Sequence, residues 1–190
     1  MVNSDIVTRR QVFSARELCV TAVMTALVFL ATFVPRIPIP LGYAHLGDAV
    51  IFLLALLLGR REALIAACLG SALSDVMGGF FPWVVPTLFI KFWMAEIVWH
   101  LAGRTHAGLA RTAAAFLLSS LWMAAAYTAF GALLYASVAA GLASAPGLLM
   151  EGLVNTAAAL LVLPALRRLC LLYTSPSPRD ATLSRMPSSA

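Results

Sequence analysis

A chain of 190 residues that is 62% hydrophobic and 11% charged, with mean hydropathy +0.93, has too little charge to cover a water-soluble globule of its size. It reads as an integral membrane protein. The formal net charge of +5 does not point to nucleic acid, because the arginines sit between apolar runs and form no basic patch interleaved with aromatics.

Residues 1–15 form a short amino-terminal segment, and its Arg9 and Arg10, with Arg16 just after it, precede an apolar run and imitate a secretion signal. That run continues over 18–34 without a small-residue cleavage site and reads as a first anchor. Further apolar runs cover 49–59, 63–77, 83–102, about 110–138 and 148–166, so the expectation for 16–169 is an all-α bundle of six transmembrane helices. The second run is too short to cross alone, since a spanning helix needs about twenty apolar residues. It follows a polar, kinked loop carrying Tyr43, His45 and Asp48. Irregular backbone at membrane depth is tolerated only where protein or a wet cavity surrounds it. The first loop is therefore expected to dip inward on the outer side as a lid over a cavity.

Arginine placement sets the orientation. Arg60 and Arg61 join the second run to the third, Arg104 and Arg111 the fourth to the fifth, and Arg167 and Arg168 follow the sixth, on the same side as Arg9, Arg10 and Arg16. The opposite loops hold only Arg36, so both termini are expected in the cytoplasm. From 170 to 190 the composition turns to Ser, Pro and Thr without periodicity, which predicts a disordered or non-native tail.

Ionisable residues inside spanning segments are costly, and function is their default reading. Asp75, Lys91 and Glu151, with neutral Asn155, count to the outer half of their helices at a rise of about 1.5 Å per residue. Glu151 and Asn155 are four apart and share a helix face, as do Ser71 and Asp75. These residues are expected to converge with Tyr43, His45 and Trp83 on one substrate pocket, Trp83 stacking on a flat ring or serving as an interface residue. The alternative for Lys91 is a neutralising pair with Asp75 or Glu151. Asp48 is poised between capping the second helix and touching a ligand. Glu96 and His100 are four apart near the cytoplasmic end and read as a local pair or a partner contact.

The three cysteines, Cys19, Cys68 and Cys170, lack metal-ligand spacing, and neither a metal nor a cofactor is expected. No zinc-protease motif, nucleophile elbow or phosphate loop is present, so any ATP hydrolysis must come from another subunit. Ala22 and Ala26 place two small side chains one turn apart on the first helix, which permits close approach of a partner helix within lipid.

The layout of six runs, the Ala22-x-x-x-Ala26 pair, the loop PLGYAHLGDAVIFLLALLLG, the run ALIAACLGSALSDVMGGF and the following WVVPTLFIK resemble the substrate-binding S component of an energy-coupling factor (ECF) transporter, in the branch that includes riboflavin-, pyridoxine- and hydroxymethylpyrimidine-type proteins. The resemblance covers about 16–168. It implies a subunit without its own ATPase, set in a bacterial cytoplasmic membrane, that captures a vitamin or precursor outside. It also implies docking through Ala22 and Ala26 on a transmembrane T subunit driven by two cytoplasmic ATPases, with the loop over 41–48 gating the pocket. Two other readings remain: a stand-alone proton-coupled carrier using Asp75, Glu96 or Glu151 as relays, and an intramembrane enzyme or assembly factor.

Overall fold

A computed structural model describes residues 13–103 and 107–174, with side chains through residue 168. Arg9, Arg10 and most of the expected amino-terminal segment, Arg104, and most of the expected tail over 170–190 lie outside the described residues.

Helix α1 (Ala15–Phe33) starts on a reciprocal cap. The Ser14 hydroxyl accepts the Glu17 N–H at 3.3 Å while the Glu17 carboxylate accepts the Ser14 N–H at 2.7 Å, which satisfies two otherwise orphaned donors. Val34 still bonds to the Leu30 carbonyl in helical geometry, and Pro35 then ends the helix because it has no N–H with which to continue the ladder. The chain turns into a small antiparallel hairpin, β1 (Ile37–Ile39) and β2 (Gly42–Ala44), with Pro38 opposite Tyr43. Pro40 fixes one corner of the turn and Leu41 takes the other at φ 66°, a left-handed conformation that costs a leucine energy. The polar kinked loop expected from sequence is thus an ordered hairpin.

Helix α2 (Gly47–Leu57) has 11 residues and is about 16 Å long, roughly half a hydrocarbon core. It is buried nearly all round, as expected of a helix apolar on every face. Phe52 stacks on Phe116 at 4.8 Å between ring centroids, in a core shared with Ile90, Met94, Met123 and Ala159. Helix α3 (Arg60–Gly78) turns a face of small residues to α1. A Cβ on Gly70 would meet the Thr25 carbonyl oxygen and the Val28 Cβ, each at 2.7 Å, so the glycine is what lets the two backbones approach. The helix stops at Gly79, whose φ of +79° and N–H bonds to the Asp75 and Val76 carbonyls close it.

A 3-10 turn at Phe81–Trp83 leads into α4 (Val84–Val98), which unwinds into a π turn at Trp99–Gly103. Helix α5 (Leu109–Leu134) and helix α6 (Val138–Thr174) pack along each other. Helix α6 begins well before the expected start at 148 and runs straight through Pro146 and Pro164. Close packing accounts for the short turn: a Cβ on Gly141 would lie 2.6 Å from the Thr128 carbonyl, and one on Gly152 would lie 2.7 Å from the Ser120 Cβ.

Four helical segments, Ala15–Phe33, Phe81–Gly103, Leu109–Leu134 and Val138–Arg168, are long and apolar enough to cross a membrane. Helix α2 is shorter, and α3 carries Arg60, Arg61, Glu62 and Asp75. The flanks of the bundle expose aliphatic residues, Val85 at 74% and Leu161 at 81%, which suits contact with lipid and not with water.

Candidate ligand-binding site

Where the hairpin folds back over the bundle, it roofs a cavity of about 520 Å³ counted with its open mouth. The hairpin and its exit supply Leu41, Tyr43 and His45. The end of α3 supplies Asp75, the turn before α4 supplies Trp83, α4 and α5 supply Thr87 and Tyr127, and α6 supplies Leu148 and Glu151.

Asp75 is held by hydroxyls from two sides. Tyr43 donates to its Oδ1 at 3.1 Å and Thr87 to its Oδ2 at 2.5 Å. Thr87 in turn lies 3.0 Å from the Tyr127 hydroxyl, and Tyr43 lies 3.1 Å from the Ser74 Oγ. Arg36 spreads over the Phe33 and Tyr43 rings at 4.1 and 4.5 Å and donates to the Ser74 carbonyl at 3.1 Å. Burial pushes the Tyr43 hydroxyl above its usual range, so it stays protonated and available to donate.

Glu151 ties α6 to the hairpin exit. Its Oε1 accepts the His45 backbone N–H at 3.1 Å. His45 Nδ1 accepts the Gly47 N–H at 3.1 Å and stands 3.2 Å from the same carboxyl oxygen. Burial drives the imidazole down to about 4, which keeps it neutral near pH 7; with Nδ1 accepting, its proton sits on Nε2. The contact with Glu151 is therefore not an ion pair at that pH: Nδ1 offers only a lone pair, so the proton between the two belongs to Glu151 Oε1, which leaves Oε2 as a pure acceptor.

Beneath the cavity two further contacts fix the start of α2. Asn155 Oδ1 accepts the Ala49 N–H at 2.8 Å while its Nδ2 donates to the His45 carbonyl at 2.7 Å and the Glu151 carbonyl at 2.9 Å. Lys91 Nζ bonds to Asp48 Oδ1, with both side chains sealed from solvent. The expected partners of Lys91 were Asp75 or Glu151; the structure pairs it instead with Asp48, because α2 starts deep in the bundle and carries that carboxylate to α4.

Of the residues singled out from sequence, Tyr43, His45, Asp75, Trp83 and Glu151 line the cavity, whereas Asp48, Lys91 and Asn155 form the layer that supports it. Trp83 faces Tyr127 at 5.6 Å between ring centroids, and its Nε1 has no partner among the described residues. Thr87 and Tyr127 were not anticipated. Thr87 lies four residues before Lys91 on α4, and that one-turn spacing was the available signal. Trp122 does not line the cavity: its Nε1 donates to the Ile90 carbonyl at 3.3 Å and its ring sits among Phe89 and Trp93.

Ala22 and Ala26 are exposed on α1, beside exposed Val23, Leu27 and Leu30, while Thr21, Val28 and Thr32 are buried. Away from the cavity, Glu96 and His100 form the expected local pair at 3.0 Å. Arg60 joins them, its Nη2 2.6 Å from Glu96.

An apolar helical bundle with a polar, aromatic-walled cavity at one end defines a multi-pass membrane protein built to hold a small molecule. A family profile described as ECF-type riboflavin transporter, S component, matches residues 12–168, and the chain belongs to that family. Membership makes it a substrate-binding subunit of a transporter and not an enzyme. The chain is also 37% identical over 111 residues, 57% of its own length and 73% of the other's, to a protein of Pyrococcus woesei described as an uncharacterized protein in gap 3'region.

Proposed function

We propose that this chain captures a vitamin or vitamin precursor carrying a flat heteroaromatic ring, of riboflavin, pyridoxine or hydroxymethylpyrimidine type, at the outer face of a bacterial cytoplasmic membrane. All six helices embed in the bilayer, with α2 as the short second span, the hairpin as the lid and both termini in the cytoplasm. The loaded subunit docks through Ala22 and Ala26 on a T subunit whose two ATPases drive release inward.

The observation that carries this reading is the placement of the cavity opposite the cationic end. Arg60 and Arg61 open α3 and Asp75 closes it at the cavity. Arg111 opens α5, which carries Tyr127 one or more turns before its far end. Positive residues stay on the cytoplasmic side, which turns the cavity outward. A cavity walled by Trp83, Tyr127 and Leu148, with a few convergent polar groups, suits a small aromatic solute.

The test is mass spectrometry of small molecules released by denaturing the detergent-purified chain, followed by titration of what is found. A vitamin-class compound bound at submicromolar strength without any ATPase supports the reading. An empty protein that ignores a vitamin panel and shows proton-coupled flux in vesicles replaces it with a stand-alone carrier.

A further inference from the structure

The direction of the hydrogen bonds around Asp75 restricts what the cavity can accept. Tyr43 and Thr87 each own one hydroxyl proton, and both protons go to the Asp75 carboxylate. Thr87 has none left for its contact with Tyr127, so Tyr127 is the donor there. Tyr43 likewise has none left for Ser74, so Ser74 donates to Tyr43, and Ser74 itself lies 3.4 Å from an Arg36 Nη2 donor. All these protons run toward one carboxylate. The oxygens of Tyr43, Thr87 and Tyr127 that line the cavity can then offer a ligand only lone pairs.

Glu151 adds a second acceptor. Its Oε1 is taken by the His45 N–H, and no hydrogen bond reaches its Oε2 among the described residues. Among the described residues no lysine or arginine lines the cavity: Lys91 is committed to Asp48, and Arg36 lies over the Tyr43 ring and bonds to Ser74. Two donors stand apart from these acceptors. One is the Trp83 Nε1–H, without a partner among the described residues on a residue 6% exposed, and the other is the His45 Nε2–H.

We infer that the cavity selects flat heteroaromatic rings bearing an exocyclic amino group, with Glu151 Oε2 accepting the amino N–H and the Trp83 indole donating to a ring nitrogen. This rests on the S-component reading and narrows its substrate class. Rings with a carbonyl where the amino group would be leave Glu151 facing another acceptor, and an unpaired buried acceptor weakens binding.

The experiment titrates the detergent-purified full chain, followed by tryptophan fluorescence and calorimetry, with a matched pair. One member is 4-amino-5-hydroxymethyl-2-methylpyrimidine and the other is the same ring with a carbonyl oxygen replacing the amino group. Riboflavin and nicotinate complete the panel. The amino ring is expected to bind at least about tenfold tighter than its partner. Glu151→Gln, which keeps an acceptor for His45 but presents an amide N–H to the ligand, should shrink or reverse the ratio. Trp83→Phe should weaken the amino ring while leaving the ratio in place.

Equal binding of the pair, or preference for riboflavin or nicotinate, overturns the inference and leaves the capture role standing. Failure of every probe to bind, together with a protein that carries no vitamin, overturns both. The wild-type ratio decides the matter even if Glu151→Gln does not fold.

Discussion

Lys91 and Asp48 meet across the contact between α4 and α2 with essentially no solvent on either side chain. The second Asp48 oxygen has no hydrogen-bond partner among the described residues. Removing one charge from such a pair strands the other in a low-dielectric interior. Lys91→Met is expected to cost about 3–5 kcal/mol of stability, and the double change Lys91→Met with Asp48→Leu should recover most of it. Thermal unfolding in detergent checks this, and a single variant as stable as the parent would show that the pair holds nothing together.

Asn155 serves three backbone groups at once, on α2, on the hairpin exit and on α6. Replacement by leucine leaves the buried Ala49 N–H and His45 carbonyl without partners, at about 1–3 kcal/mol for each group stranded. Asn155→Leu should therefore speed hydrogen exchange across 43–49 while the middle of α5 stays protected. Unchanged exchange in that segment would remove Asn155 as its anchor.

His45 gives stability a pH dependence of definite sign. Its folded pKa of about 4 lies below the ordinary value of 6.5 because burial disfavours the charged ring. Between those values the unfolded chain binds the extra proton. The contribution is thus complete above about pH 6.5 and drains away as the pH falls toward 4, by about 3 kcal/mol at most. His45→Asn retains an acceptor for Gly47 but does not titrate, so its unfolding midpoint should fall less between about pH 7 and about pH 4.5. Parallel slopes for parent and variant would count against a buried neutral imidazole.

Ala22 and Ala26 lie on the exposed side of α1, away from the buried Thr21, Val28 and Thr32. Leucine at both positions keeps the apolar surface but blocks close helix approach. Ligand binding by the isolated subunit should stay within about twofold, while uptake in cells with the full transporter should fall at least about tenfold. Normal uptake would place the docking face elsewhere.

Helix type was legible because apolar runs separated by arginines leave little choice inside a membrane. The start of α6 was not. Pro146 and Gly147 read as loop residues, yet the helix persists through both, and on either side of them Gly141 and Gly152 bring it into backbone-close contact with α5. Asp75 and Glu151 were found at the cavity because depth along a helix follows from counting. The partner of Lys91 could not be counted out, since Asp48 belongs to a helix that begins inside the bundle and not at its edge. The hydroxyls of Thr87 and Tyr127 were missed because an uncharged polar residue in an apolar helix carries no cost that forces attention to it.

The Glu151 carboxyl that offers Oε2 to the cavity grips the hairpin exit with Oε1, through the His45 N–H. If the proposed ring contact at Oε2 holds, occupancy and roof position are thermodynamically linked, and linkage is reciprocal. Whatever factor a bound ring adds to the hold on 37–46, a firmer hold on 37–46 adds to the affinity for the ring. On that proposal a partner subunit need not reach the ligand to expel it: pulling the hairpin away from α6 would weaken the hold of Glu151 on both at once.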